Sequence, residues 1–199
     1  MKNFWDERYS IKDYIYGTQP NQFFKEQIDK LTVGKILMVG EGEGRNAVYA
    51  AKLGWQIDAL DSSSAARDKA MRLAEQNKVS INYQIADIHS YNFPANTYDA
   101  VGIIFLHINE SLAESEILYK KLTGSLKKNG RIILELFSKN QLGKKTGGPQ
   151  DLSLLYSIEQ IRKNFSTLTP EVLHEENVLL SEGDLHNGEA SVIRYVGVK

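Results

Sequence analysis

Apolar runs of strand length alternate with longer segments of helical periodicity along most of the chain. This alternation is typical of a parallel sheet covered by helices, because a parallel strand can follow another only after a crossover. The pattern predicts strands at 33–40, 55–61, 80–87, 98–108 and 131–138, with helices at 44–54, 62–78 and 109–130. We therefore expect an α/β fold built on five parallel strands.

The pattern changes after the fifth predicted strand. Residues 139–153 are rich in glycine and lysine and predict a flexible loop, which is long enough to serve as a functional lid. A short amphipathic helix with a serine cap is predicted at 157–165. Two β segments, at 171–183 and 189–199, follow with no helix between them, so we expect them to pair as a hairpin.

Composition limits the classes of protein. With 199 residues, 42% of them hydrophobic, the chain can bury one sizeable core, so we predict a single domain over 1–199 with an N-terminal lid or helical segment at 1–30. A net charge of -1 disfavours generic nucleic-acid binding, and the absence of cysteine excludes disulfides and thiolate chemistry. We find no signal peptide and no apolar run of the roughly 20 residues that span a bilayer, so we expect a cytoplasmic protein with no membrane partner.

A glycine-rich turn, GEGEG at 40–44, joins the first predicted strand to the first predicted helix. A P-loop would need a lysine that reaches the β and γ phosphates, and this turn has none. The dinucleotide fingerprint would need its third glycine at position 45, where helix and strand pack closely, but residue 45 is arginine. A nicotinamide-dependent dehydrogenase is therefore disfavoured.

Acidic residues end the next two predicted strands, at Asp61 and Asp87. A G-x-G-x-G turn with an acidic residue at the end of the second strand is the arrangement used for S-adenosylmethionine (SAM). Glycines let the backbone approach the ligand, and the carboxylate can accept both ribose hydroxyl protons. Asp87 would accept a hydrogen bond from the adenine amino group while the N–H of Ile88 faces a ring nitrogen. Alternatively, Asp87 only caps the loop that follows it.

Four segments together resemble a class I SAM-dependent methyltransferase, closest to the tellurite-resistance and thiopurine-methyltransferase-like branch. They are YGTQPNQF, GEGEGRNA, YSIEQIRKNF and EGDLHNGEASVIRYVGVK. The resemblance implies a Rossmann-like fold with helices on both faces of a seven-stranded, mostly parallel sheet of order 3-2-1-4-5-7-6, whose last strand is antiparallel. It also implies SAM as the cofactor, S-adenosylhomocysteine as its product, and a methyltransferase activity.

The predicted cofactor site combines the turn, the strand ends and an aromatic cover. Its residues are Gly40, Glu41, Gly42, Gly44, Asn46, Asp61, Ser62, Asp87, Ile88, Phe105, Trp5 and Tyr16. The aromatic side chains suit a cationic sulfonium, although Trp5 and Tyr16 could equally pack onto the sheet. The family often has an acidic residue two positions before the first glycine, where this chain has Met38. Glu41 is expected either to compensate by meeting the cofactor's ammonium or to be an exposed turn residue.

Two histidines are the candidates for assisting methyl transfer. His186 lies in the final hairpin, where the resembling branch has a histidine suspected of this role, and His107 follows the fourth strand. Alternatively, His186 is a histidine in a surface turn, and His107 is a histidine whose hydrogen bonds are satisfied at a strand edge. A general base is optional, because the displacement depends mainly on alignment of the nucleophile.

The acceptor is the least defined part of the prediction. Amino methylation of nucleic-acid bases usually goes with a [DN]-P-P-[YF] turn after strand four, where this chain has FLHI. We therefore expect a small acceptor, such as a thiol, a chalcogen or metalloid oxyanion or another small metabolite, and no nucleic-acid partner. We predict no metal site, and a monomer or homodimer. The alternative function is a non-catalytic SAM-binding sensor or partner subunit.

Overall fold

A computed structural model describes residues 2–108 and 112–199, and it describes side chains for 4–108 and 114–199. Six α-helices and seven strands lie in these ranges. In chain order they are α1 (Lys2–Tyr9), α2 (Gln22–Ile28), β1 (Lys35–Val39), α3 (Arg45–Lys52), β2 (Gln56–Asp61), α4 (Ser64–Gln76), β3 (Asn82–Ile85), β4 (Tyr98–Ile104), α5 (Leu112–Ser125), β5 (Leu126–Phe137), α6 (Ile158–Asn164), β6 (Thr169–Ser181) and β7 (Asn187–Val198).

The strands form one seven-stranded sheet in the order β3-β2-β1-β4-β5-β7-β6. Strands β1 to β5 pair in parallel, whereas β7 runs antiparallel to both β5 and β6. The predicted Rossmann-like fold, its strand order and the final hairpin are therefore confirmed. No helix in the described ranges is both long enough and apolar enough to cross a bilayer.

Helices cover both faces of the sheet. Successive residues of β1 alternate between two apolar clusters, as the twofold periodicity of a strand requires. Ile36 and Met38 pack with residues of α2, α3 and α4, whereas Leu37 and Val39 pack with residues of α5 and α6. Burial on both faces explains why this strand is a continuous apolar run rather than an alternating one.

Two predicted boundaries are wrong. The helix predicted at 109–130 ends at Ser125, and β5 begins at Leu126 rather than at 131. Its first part pairs with Tyr98 through an irregular register, and Asn129 adopts a left-handed backbone, φ 65°, that a helix does not allow. Residues 109–111 of that predicted helix lie outside the described residues.

The strand predicted at 98–108 is also too long, because β4 ends at Ile104. Phe105 has a φ of 51°, a left-handed conformation that turns the chain away from the sheet. Its N–H still donates to the carbonyl of Glu135 on β5 at 2.8 Å. The residues after this bend thereby reach the edge of the sheet at which strands β1 to β4 end.

Candidate functional site

Two adjoining cavities lie at the carboxyl ends of β1 to β4, where open α/β sheets bind their ligands. The outer cavity has a volume of about 510 Å³, and its lining includes Asp61, Ser62, Ala86, Asp87, Ile88 and Leu106. The inner chamber has a volume of about 60 Å³, and its lining includes Tyr16, Glu41, Glu43, Arg45, Asn46 and His186. Both are lined by Trp5, Tyr9, Gly40, Phe105 and His107.

The three glycines of the turn are all left-handed, with φ of 64°, 62° and 89° at Gly40, Gly42 and Gly44. Gly40 lines both cavities. A Cβ on Gly42 would lie 2.8 Å from the hydroxyl of Tyr9, and one on Gly44 would lie 2.6 Å from Cβ of Ala70 on α4. The last two glycines therefore permit close packing against protein atoms, a reason that differs from the predicted approach of a ligand.

Asp61 is tied to the glycine turn through the main chain. Its Oδ2 accepts from the N–H of Gly42 at 3.0 Å, and its Oδ1 accepts from the N–H of Ser63 at 2.9 Å. Burial raises the pKa of Asp61, and the main-chain donors oppose that shift. Each carboxylate oxygen can accept a further hydrogen bond. The side chain, together with Ser62, lies at the wall of the outer cavity.

Asp87 and Ile88 line the same cavity from the end of β3. Asp87 is exposed, and its Oδ1 accepts from the N–H of His89 at 3.0 Å. This contact caps the following turn, as one of the two interpretations of Asp87 expects. Since a carboxylate accepts several hydrogen bonds, the cap leaves capacity for a ligand donor.

Glu41 is buried beside the start of α3, so its interpretation as an exposed turn residue is wrong. Its Oε1 accepts from the N–H of Ala47 at 2.7 Å. Burial raises the pKa of Glu41 to about 8, against the lowering effect of the helix N–H groups and Arg45. Met38 is buried in the apolar core against Gly102 and cannot supply a polar contact.

Asn46 lines the inner chamber and also anchors the chain before α2. Its Oδ1 accepts from the N–H of Asn21 at 2.8 Å. The side chain of Asn21 in turn donates to Glu135 at 2.6 Å and to Glu182 at 2.9 Å. A polar network thus joins the glycine-turn helix to β5 and to the end of β6.

Two buried ion pairs at the site were missed by the sequence reasoning. Glu43, in the glycine turn, pairs with Lys69 on α4 at 2.8 Å, and each side chain is 2% exposed. Arg45 pairs with Glu182 at 2.7 Å. The presence of charged residues inside an otherwise apolar strand-turn-helix unit was the available signal, but their partners are remote in sequence.

The N-terminal segment covers the cavities. Glu43 accepts from the N–H groups of Ile15 and Tyr16 at 3.3 and 3.2 Å, which fastens this segment to the glycine turn. The rings of Trp5 and Tyr9 stack at 5.5 Å between centroids. Arg8 donates to the hydroxyl of Tyr16 at 3.2 Å. Trp5 and Tyr16 thus line the cavities from this segment, and their role as a lid stays a prediction.

His107 and His186 lie within one cluster of aromatic rings. His186 is buried, and its ring centroid lies 4.5 Å from Tyr16 and 4.6 Å from Phe105, so it is not a surface histidine. His107 stacks on Phe137 at 5.8 Å. Burial lowers the pKa of His107 to about 4 and also lowers the pKa of His186. Both imidazoles are therefore neutral at pH 7, and the lowered pKa makes each a weaker base than a free histidine.

The loop at 139–153 packs against the final hairpin. The buried side chain of Gln141 accepts from the N–H of Ser191 at 2.8 Å and donates to the carbonyl of Gly147 at 2.9 Å. Lys144 forms an ion pair with Glu189. Gly147 in turn lies against the main chain of Leu185. The loop therefore supports the turn that carries His186, and its predicted flexibility stays a prediction.

Comparison with known proteins gives a family match and seven curated relatives, which carry two names. Residues 36–130, just under half of the chain, match a family described as a methyltransferase domain. The tRNA 5-carboxymethoxyuridine methyltransferase of Escherichia coli (strain K12) is 25% identical over an alignment of 152 residues that covers 71% of this chain and 58% of the relative. The ubiquinone biosynthesis O-methyltransferase of Coxiella burnetii is 28% identical over 105 residues, which are 53% of this chain and 44% of the relative. The chain thus spans less than two thirds of these relatives.

Solved structures share the fold. One, described as "Conversion of a Disulfide Bond into a Thioacetal Group during Echinomycin Biosynthesis", has a TM-score of 0.78 at 17% identity and covers 100% of this chain and 92% of its own. TehB from Haemophilus influenzae has a TM-score of 0.74 at 13% identity, with coverages of 100% and 66%. Phosphoethanolamine N-methyltransferase 2 from Haemonchus contortus, in complex with SAM, has a TM-score of 0.68 at 17% identity, with coverages of 98% and 56%.

The family match is to a methyltransferase domain over just under half of the chain, and the solved structures, which are under 25% identical, show the fold alone. They do not single out the tellurite-resistance and thiopurine-methyltransferase-like branch, because TehB is one structural neighbour among several. They also leave the acceptor undefined, since the curated relatives are named for a tRNA and for ubiquinone biosynthesis. The predicted exclusion of nucleic acid as a partner therefore has no support from the relatives.

Proposed function

We propose that this protein binds SAM with its adenosine in the outer cavity and its methionyl end reaching Glu41 at the inner chamber, and methylates a small molecule whose reacting group enters that chamber. The observation that carries the proposal is the hydrogen bond that the N–H of Gly42, in the left-handed turn at 40–44, donates to Asp61. This hydrogen bond holds the Asp61 carboxylate at the wall of a cavity of about 510 Å³, which is within the usual size range of ligand pockets.

The cavity residues fit the parts of this cofactor. Asp61 would accept the ribose hydroxyl protons through its remaining lone pairs. Asp87 would accept from the adenine amino group, with the N–H of Ile88 facing a ring nitrogen. The face of Trp5 would attract the cationic sulfonium, which supplies an electrophilic methyl group when the cofactor is bound. Phe105, bent out of β4, would then separate the cofactor from the acceptor.

The inner chamber supports a small acceptor. Its volume of about 60 Å³ leaves room for a reacting group, and aromatic side chains form much of its wall. His186 and His107 line it as neutral imidazoles, so either could take a proton from the acceptor. The chain's main contribution would be to align the acceptor with the methyl group and to exclude water.

The experiment starts with calorimetric titration of the protein with SAM, S-adenosylhomocysteine and NAD. Binding of the first two, and not of NAD, is the expected result; binding of NAD alone would overturn the cofactor assignment. Methyl transfer from radiolabelled SAM is then measured with a panel of thiols, phenols, selenite, tellurite and bulk tRNA. Transfer to tRNA alone would replace the small acceptor, and binding without any transfer would favour the sensor.

A further inference from the structure

The turn between β6 and β7 brings one carboxylate to one imidazole. The N–H of Glu182 donates to the carbonyl of His186 at 2.8 Å, which closes the turn. Oε2 of Glu182 then lies 3.6 Å from Nδ1 of His186, a contact slightly longer than a hydrogen bond. Within the described part of the chain, this Nδ1 is buried and has no hydrogen-bond partner. The two side chains are thus close together, without a hydrogen bond between them.

Glu182 is anchored from two other directions. Arg45, the first residue of α3, donates to Oε2 at 2.7 Å, and Asn21 donates to Oε1 at 2.9 Å. Burial favours the neutral carboxyl, but His186 and Arg45 outweigh it and lower the pKa of Glu182 to about 2. The carboxylate is therefore charged at neutral pH and fixed in position by donors from the cofactor side of the molecule.

Other groups that act on His186 are few. The titratable and charged groups near it are Glu182, Arg45, Arg8, His107 and Tyr16, and burial raises the pKa of the Tyr16 hydroxyl, which keeps it neutral. The two arginines and burial disfavour the imidazolium, so Glu182 is the one group of this set that favours it. A carboxylate facing Nδ1 stabilises the tautomer with the proton on Nδ1, which leaves Nε2 as the proton acceptor.

We propose that Glu182 is a positioning residue that fixes His186 in its Nδ1–H tautomer, so that Nε2 takes a proton from a neutral thiol, hydroxyl or amine acceptor. This inference rests on the proposed methyltransferase function and narrows its acceptor to protic, uncharged groups. As the acceptor's heteroatom bonds to the methyl carbon, its proton passes to Nε2, and the electron pair of the broken carbon–sulfur bond stays on sulfur. Arg45, the residue that follows the glycine turn, connects this pair to that turn.

The test is NMR of protein labelled with ¹⁵N-histidine, with and without saturating S-adenosylhomocysteine. The chain has four histidines, so His186→Gln assigns the signal of His186 directly. We expect the Nδ1–H tautomer in the wild type. Glu182→Gln keeps the shape of the side chain but removes its charge, and should lower the pKa of His186 by about one unit.

Glu135→Gln is the matched control, because Glu135 is also buried and also accepts from Asn21. It should leave the pKa of His186 unchanged. An Nε2–H tautomer in the wild type, or an equal pKa of His186 in the wild type and in Glu182→Gln, would overturn the proposal. If Glu182→Gln does not fold, the tautomer of His186 in the wild type alone decides whether the proposal holds. If S-adenosylhomocysteine does not bind, the proposed function fails, while the tautomer of the free protein still tests Glu182.

Discussion

The two sides of the cavities are held in different ways. The strand-end turns, residues 40–44, 61–63 and 85–89, are fixed by hydrogen bonds that main-chain N–H groups donate to carboxylates of the same turns, such as those from Gly42 and Ser63 to Asp61. The covering elements, residues 2–21, 139–153 and 182–186, are fixed by buried side chains whose partners are distant in sequence. Arg45 and Glu182, for instance, are 137 residues apart.

Because of this difference, we expect the strand-end turns to determine ligand binding and the covering elements to determine how the cavities are closed off from solvent. Main-chain contacts preorganise the strand-end turns, so a ligand there meets groups that are already in place. The covering elements depend on a small number of ion pairs, which a single substitution can break. We therefore expect substitutions in the strand-end turns to change cofactor affinity. Substitutions in the ion pairs that hold the covering elements should instead change stability and the environment of His107 and His186.

Lys69→Met gives the largest expected effect and tests how the covering elements are fastened. It would leave the carboxylate of Glu43, which is 2% exposed, without its cation. Breaking one partner of a buried ion pair typically costs about 3–5 kcal/mol, so we expect a loss of that size in the free energy of unfolding. Urea denaturation measures it.

The double variant Lys69→Met/Glu43→Gln is the control for this prediction. It removes both charges, so it should recover most of the lost stability. A single-variant loss below about 1 kcal/mol, the range of an exposed pair, would show that the N-terminal segment is held by other contacts.

Asp61→Ala tests the strand-end turns. It removes charged acceptors for the ribose and releases the N–H of Gly42, so we expect affinity for S-adenosylhomocysteine to fall about 100-fold, or about 3 kcal/mol. Calorimetry measures it. Asp58→Asn is the control, because Asp58 lies on the same strand, is equally buried at 9%, and pairs with Lys35 instead. Equal affinities in the two variants would contradict the ribose assignment.

The strand-end turns were predictable from sequence because their chemistry is local. The positions of Gly40, Asp61 and Asp87 follow from where each apolar run stops, and parallel strands bring those ends to one edge. The final hairpin followed from two β segments without a helix between them. The strand order could be expected only through the resemblance to a known family, since apolar periodicity does not specify which strands pair.

The ion pairs that hold the covering elements could not be predicted in the same way. Nothing near Glu43 in sequence indicates Lys69, and nothing near Arg45 indicates Glu182, because those pairs form only when the sheet is complete. Glu41 shows the same limit: whether a turn carboxylate is exposed or buried depends on the segment that covers it. The left-handed bend at Phe105 could not be predicted either, because the apolar residues of a strand do not indicate where its backbone leaves the sheet.

Glu41→Gln tests a residue at the border of the two regions. The pKa of Glu41 is raised from 4.5 to about 8, so its contribution to stability is fully present below pH 4.5 and is lost as the pH rises through 8. The wild type should lose on the order of 2 kcal/mol more than Glu41→Gln between pH 6 and pH 7.5. Urea denaturation at several pH values measures this difference, and parallel curves would contradict it.

The same variant tests whether Glu41 replaces the acidic residue absent at Met38. A ligand ammonium beside Glu41 would favour the carboxylate, so SAM should bind the wild type more tightly as the pH rises from 6 to 8. Affinity for SAM in Glu41→Gln should lack this rise. S-adenosylhomocysteine carries the same ammonium and should follow SAM, whereas adenosine should not. Equal SAM affinity in the two proteins at every pH would rule out the replacement.

Asp87→Ala should have the smallest effect, because its side chain is 61% exposed and solvent competes for its hydrogen bonds. We expect affinity for S-adenosylhomocysteine to fall threefold to tenfold, as calorimetry would show, with no change in the free energy of unfolding beyond about 0.5 kcal/mol. Asp87→Asn separates the two interpretations of Asp87. Its amide oxygen can still accept from the N–H of His89 and keep the cap, whereas its neutral charge weakens the bond to the adenine amino group. If Asp87→Asn binds as tightly as the wild type and Asp87→Ala loses stability instead of affinity, Asp87 is only a cap, and the adenine end is held by the main chain of the strand-end turns alone.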